Sequence, residues 1–170
     1  NYVDGKLDGH YIKYYDDGNA IEKTMKVETD YVNGELHGNY DEWHEDGTIN
    51  IETTYVRGIE HGHYIEHYSD GPIFLEFDMV NGEIHGNYYE YYEDGTMSIE
   101  CEYVNGLLHG LHVGYFTNGK KYLETYYVGG KRHGKCVEYF DDGRIAIEFD
   151  YINDRKIELF GETPHISETY

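Results

Sequence analysis

Met79-Val80-Asn81-Gly82-Glu83-Ile84-His85-Gly86-Asn87-Tyr88-Tyr89-Glu90-Tyr91-Tyr92-Glu93-Asp94-Gly95 is the stretch that decides how the rest of the chain reads. Its His-Gly pair recurs at His37-Gly38, His61-Gly62, His85-Gly86, His109-Gly110 and His133-Gly134, each 24 residues after the last (61 − 37). A degenerate copy, Asp8-Gly9, lies 29 residues before His37-Gly38 (37 − 8), so the first copy carries five extra residues. Self-similarity at a fixed period of this size is the signature of a stacked-repeat architecture.

Positions within a repeat are counted here from the His as zero. Position 10 is always Gly: Gly18, Gly47, Gly71, Gly95, Gly119 and Gly143. Polar pairs precede it, such as Glu45-Asp46, Glu93-Asp94 and Asp141-Asp142. A polar pair and a Gly between two apolar runs is a hairpin signal: Asp or Asn suits a type I turn, and Gly supplies the positive φ that follows. The run before the turn is aromatic, as in Tyr91-Tyr92, and the run after it alternates, as in Ile49-Asn50-Ile51-Glu52-Thr53. Both are strand signals. A second Gly-containing turn, at Gly58, Gly82, Gly106 or Gly130, leads back to the next His-Gly.

The expected fold is therefore all-β: an elongated antiparallel meander of stacked β-hairpins forming a single-layer twisted sheet. Helices are excluded because a turn interrupts the chain about every twelve residues. Roughly twelve strands at about 4.8 Å spacing would extend on the order of 55–60 Å. Six units fill residues 1–154, and residues 155–170 are expected to be an end piece that covers the last strand edge. The extra residues of the first unit fall near Asn19 to Thr24, as a longer connection or bulge. The first residues, Asn1-Tyr2-Val3-Asp4-Gly5, match Tyr31-Val32-Asn33-Gly34 and show no signal peptide, so the natural chain is expected to begin earlier. Two registers are open at the acidic turn. A three-residue loop with a bulge puts positions 4 and 6 on the face of positions 12 and 14, and a two-residue loop flips the faces. The three-residue loop is preferred because it gathers Ile65, Ile73 and Leu75 on one face.

The chain carries 13 Lys and Arg against 34 Asp and Glu, a net charge of −21. Nucleic acids and anionic membranes are bound through Lys and Arg clusters, so neither is an expected partner. Basic proteins or cations are, and self-repulsion favours solubility. No apolar run is long enough to span a membrane. The two cysteines, Cys101 and Cys136, stand where other repeats place Thr, Phe, Tyr or His, and read as small packed residues in a reducing compartment.

Three columns of side chains are the candidates for function. Glu28, Glu52, Glu76, Glu100, Glu124 and Glu148 stand one residue after an apolar position and point away from it. The plainer reading is a polar face whose Glu bonds a turn or a Tyr hydroxyl of the adjacent strand; the functional one is a carboxylate ladder for a basic partner or Ca²⁺. Two such Glu, about 10 Å apart, cannot share an ion unless another column helps. His37, His61, His85, His109 and His133 read as turn residues bonding backbone, with Gly47, Gly71, Gly95, Gly119 and Gly143 as structural turn positions. The same spacing keeps these His from converging on zinc, and His61 with His63 falls short of a ligand set. Of the 21 Tyr, most are expected to stack between strands, and the surplus, Tyr91 and Tyr92 among them, to line a partner-binding surface. No catalytic residue, metal ligand set or cofactor motif is identified.

The unit Tyr-Val-Asn-Gly-x-x-His-Gly-x-Tyr-x-Glu-Tyr-Tyr-Glu-Asp-Gly, with a Glu five residues after its last Gly, resembles the MORN-variant repeat from Tyr2 to about Asp154. The resemblance includes a bacterial branch of YwqK-like antitoxins and repeats carried by giant amoebal viruses. It implies a β-hairpin array used for binding and scaffolding, without a shared catalytic residue. Asp8 in place of His, and Gly114 in place of Glu42, Glu66, Glu90 or Glu138, depart from the pattern. The expected function is a non-enzymatic protein-binding or scaffold module, antitoxin-like if its partner is a basic toxin. The alternative is a structural component that self-assembles or sits in a larger particle such as a virion. A cytoplasmic or virion location follows from either. A hydrolase built on a carboxylate pair is disfavoured, because nothing sets two Glu in unlike environments.

Overall fold

The computed structural model describes residues 1–16 and 23–157. Among them every regular element is a strand. Tyr2–Val3 and Lys6–Leu7 pair as a small ribbon, and the other strands form one 14-stranded antiparallel sheet in chain order. One repeat in the middle shows the plan: Ile73–Val80 pairs with Glu83–Tyr91, which pairs with Met97–Val104, which pairs with Leu107–Tyr115. At the far end Arg155–Ile157 pairs with Ile145–Ile152, and the rest of the expected end piece lies outside the described residues.

Two kinds of turn alternate, and their chemistry differs. At the acidic turn His44 N–H donates to Thr48 O and Gly47 N–H to His44 O, closing a three-residue loop, Glu45-Asp46-Gly47. The same pair of bonds recurs at Tyr68, Tyr92, Phe116 and Phe140. The expected loop length therefore holds. In the first repeat Tyr15 N–H donates to Thr24 O, the equivalent closing bond. The five extra residues fall between those two, largely on residues 17–22, outside the described chain. The opposite turn has two residues: Val80 pairs with Glu83 across Asn81 and Gly82, whose φ values are 54° and 81°. Positive φ at both centres is the type I′ geometry that matches strand twist, and Asn-Gly is the pair that tolerates it. Gly82 N–H then donates 2.9 Å to Glu60 O of the preceding hairpin, as Gly58 does to Leu36 O and Gly106 to Ile84 O. Successive repeats are thus tied through their turns as well as their ladders.

The register corrects one expectation. Ile65 pairs with Glu76 and His67 with Ile73, but Glu66 pairs with Leu75, leaving Phe74 as an extra residue in the ladder. This bulge recurs after every acidic turn, between Glu42 and Trp43, Glu90 and Tyr91, Gly114 and Tyr115, and Glu138 and Tyr139. An extra residue shifts the alternation by one. Ile65 and Ile73 therefore share a face, and Leu75 lies on the other.

One face holds the packed spine. Tyr64, Phe77, Tyr88 and Cys101 face each other across successive strands, and His112, Thr125, Cys136 and Phe149 continue the row. Tyr64 stacks on Phe77 at 4.7 Å and Phe77 on Tyr88 at 5.5 Å. Thr29, Thr53, Cys101, Thr125 and Cys136 are buried in this row, Thr29 between Tyr11 and Tyr40 and Cys136 between Thr125 and Phe149. Large rings separated by small residues fill the pleat without overpacking. Both cysteines are free and buried, the small packed residues expected. Burial pushes the Cys101 thiol up to about 12.

Candidate binding face

The other face carries positions 2, 4, 6, 12, 15 and 17, and with them the Glu column. One row crosses the sheet in continuous register. It begins Ile12, Glu28, Asp41, Glu52, Ile65, Glu76 and continues Tyr89, Glu100, Val113, Glu124, Val137, Glu148. Each Glu alternates with an apolar or aromatic residue, except in repeat two, where Asp41 stands between Glu28 and Glu52. Burial, then the charges of Glu52 and Glu28, holds the Asp41 carboxyl above the usual carboxylate range.

Most of the Glu column is engaged by the next repeat. Tyr91 OH donates 2.6 Å to Glu76 Oε1, and Tyr115 OH 3.0 Å to Glu100 Oε2. Tyr139 OH donates to Glu124, and His67 Nε2 lies 3.0 Å from Glu52 Oε1. The Tyr hydroxyls hold a proton tightly as a result: burial, then the bond to Glu76, pushes Tyr91 up to about 12. The Glu–Tyr bond anticipated as the plainer reading is present. It uses one oxygen of a carboxylate that remains partly open to solvent: Glu76 is 24% exposed and Glu52 46%. Tyr92 points elsewhere. Its OH donates 2.6 Å to Tyr115 O at the acidic turn, so the two candidate tyrosines serve opposite faces.

Columns 2 and 17, which face each other directly across the first hairpin, were not singled out as candidates from sequence. In repeat one His10 bridges two carboxylates, Nε2 at 3.1 Å from Glu28 and Nδ1 at 3.2 Å from Asp30. In repeat three His63 does the same with Glu76 at 3.4 Å and Asp78 at 3.0 Å. In repeat six Lys135 Nζ lies 2.5 Å from Glu148, with Asp150 opposite. The signal was available as a His, Asn or Lys two residues after the His position in every repeat but the fifth, where Leu111 stands. It becomes legible only once cross-strand register puts it beside positions 15 and 17.

These constellations are not metal sites. Both ring nitrogens of His10 and His63 are taken by different carboxylates on opposite sides of the ring, so the three groups do not converge. Among the described residues no cluster of three or more His, Cys, Asp or Glu is placed to hold a metal ion.

The His column sits at the two-residue turns. His61 Nδ1 accepts from Asn81 N–H at 3.4 Å and His85 Nδ1 from Asn105 N–H at 3.3 Å. Asp8 Oδ2 accepts from Asn33 N–H at 3.0 Å, so the degenerate first copy keeps the acceptor and changes only the residue. At the acidic turns Asp46, Asp94, Asn118 and Asp142 each accept from the backbone N–H two residues on, at 2.9 Å.

Charge is unevenly spread along the array. Residues 58–119 contain no Lys or Arg and 11 Asp or Glu. Residues 120–157 contain eight Lys or Arg and seven Asp or Glu. Lys121 Nζ lies 2.5 Å from Glu124, and this bond, ahead of the one from Tyr139, holds the Glu124 carboxyl below its ordinary range.

The described chain is thus a stacked β-hairpin array with a ladder of carboxylates on one face. The MORN repeat variant family model matches residues 84–105 and 132–153, two segments exactly two periods apart in phase (132 − 84 = 48). MORN repeats are generally protein- or membrane-lipid-binding modules and are non-catalytic. No curated protein matches the chain. Among the described residues no helix is long and apolar enough to cross a membrane.

Proposed function

We propose that this chain is a non-enzymatic protein-binding module whose carboxylate face engages a basic protein partner. The observation that carries the reading is the Glu repeated in every unit on one face, together with a 62-residue stretch (58–119) without Lys or Arg. Such a field speeds encounter with a basic surface and excludes acidic ones. Antitoxin-like action on a basic toxin is one instance of this role.

The test is association kinetics with a Lys- and Arg-rich peptide, comparing the chain with E52Q/E76Q/E100Q/E124Q. Gln keeps an acceptor for the Tyr hydroxyls, so the fold is retained while four charges go. Association should slow in the variant. In the parent it should weaken as salt rises to about 0.15 M, where the Debye length is about 8 Å. An unchanged rate in a folded variant overturns the reading.

A second reading, assembly with further copies or within a larger particle such as a virion, draws on the ridge beside the two-residue turns. Val32, Val56, Val80, Val128 and Ile152 recur there with 41–52% exposure. Sedimentation that depends on protein concentration, without any partner, would favour it.

A further inference from the structure

Columns 2 and 17 of the carboxylate face are directly opposed in register, and reading them together separates the repeats. His10 faces Asp30, His63 faces Asp78 and Lys135 faces Asp150, each a nitrogen-bearing side chain supplied from within and held against a carboxylate of this face. In repeat four Asn87 faces Glu102, and Glu100 stands beside them, so two carboxylates meet with no cation of the chain's own. Glu102 has no hydrogen-bond or ion-pair partner among the described residues. In repeat five the same two columns are Leu111 and Tyr126, opposed to each other and 49% and 43% exposed.

These neighbours form a continuous depression. A hollow of ≈ 290 Å³ between Asn87, Glu100, Glu102, Val113 and Lys121 shares Leu111 with a second of ≈ 410 Å³ between Glu124, Tyr126, His133 and Val137. An acidic slot thus adjoins an apolar slot, one repeat apart. The nearby Lys121 and Lys135 are committed to Glu124 and Glu148.

We propose that this depression seats a segment of a partner protein that places a Lys or Arg between Glu100 and Glu102 and an apolar side chain over Leu111, Tyr126 and Val137. The proposal rests on the binding-module reading above and locates its site. The occupant follows from charge complementarity: the partner's cation takes the place that His10, His63 and Lys135 take in their own repeats. Neighbouring repeats are two strand spacings, about 10 Å, apart, and an extended chain rises about 3.3 Å per residue. The cation and the apolar residue are therefore about three positions apart in the partner.

The test uses a fluorescein-labelled, capped peptide containing Arg-Ser-Gly-Leu, a control with Gln for Arg, and fluorescence anisotropy at low salt. Asn87→Lys places in repeat four the cation that Lys135 supplies in repeat six, filling the slot from within. It should leave melting unchanged or raise it and weaken binding about fivefold, the scale of one partly exposed ion pair. Leu111→Ser should weaken binding by removing the apolar floor. Should Asn87→Lys fail to fold, Glu102→Gln, an exposed side chain, makes the same test and should also weaken binding. If the chain prefers the Arg peptide over its control but both slot variants bind like the parent, the site is wrong and the acidic-face reading survives. If the chain does not distinguish Arg from Gln at all, both fall.

Discussion

The row through Glu28, Asp41 and Glu52 and the row through Glu124, Val137 and Glu148 are the same three positions of the array, four repeats apart. In the second, Val137 is 6% exposed and separates two Glu that Lys121 and Lys135 neutralise. In the first, a third carboxylate takes the valine's place, and the groups paired with Glu28 and Glu52 are His10 and His67, which carry charge only when protonated. Strand register is alike at both. The difference shows that the backbone plan tolerates either content: the C-terminal end uses the row for stability, while the N-terminal end keeps a like-charge cluster that its own fold disfavours.

The comparison can be broken most forcefully by Val137→Asp. It would place a carboxylate on the buried site between Glu124 and Glu148. Removing a buried apolar group and desolvating a charge should cost about 3 kcal/mol or more, read as a lower urea midpoint. A loss below about 1 kcal/mol would mean that the C-terminal row is as open as the N-terminal one. The converse, Asp41→Val, should stabilise the chain by about 1 kcal/mol, since it relieves cross-strand repulsion and restores the apolar residue found in repeats five and six. Unchanged or lower melting would show that Asp41 is not under strain.

The smallest effect is in pH, and it sharpens the contrast by sign. Asp41 has a folded pKa raised above its unfolded value, so the repulsion is present above the folded value and relieved as pH falls through it. Asp142 is lowered, by the Arg144 backbone N–H and then its guanidinium, so its stabilisation is present above the unfolded value and lost as pH falls through the folded one. At neutral pH Asp41→Val should melt above the parent and Asp142→Asn below it. In acid, below about pH 4, where carboxylates protonate in the unfolded chain, the Asp41→Val gap should narrow to its apolar part, and the Asp142→Asn gap should close as pH falls further, through the lowered folded value. Melting curves across that range read both, and two gaps of the same sign would refute the assignment.

Much of this was legible before any coordinates. The 24-residue period, the all-β class, the three-residue acidic turn and the packing role of Cys101 and Cys136 all follow from local pattern. Turn type depends on a few adjacent residues, and Asp-Gly and Asn-Gly carry it. The Glu column was visible too, and so was the Tyr hydroxyl as its neighbour.

The faces were not. A run such as Ile73-Phe74-Leu75-Glu76 reads as one uninterrupted strand, and nothing in it marks Phe74 as an extra residue in the ladder. Side chains alternate with a period of two, so that single residue sends Leu75 to one face and leaves Ile73 with Ile65 on the other. The same holds for the binding face: Asn87 and Glu102 are 15 positions apart in the chain, and only cross-strand register sets them opposite each other. Sequence by itself determined the period, the turns and the charge. Which side chains meet was decided by the tertiary structure, because strand pairing joins residues by geometry rather than by their order in the chain.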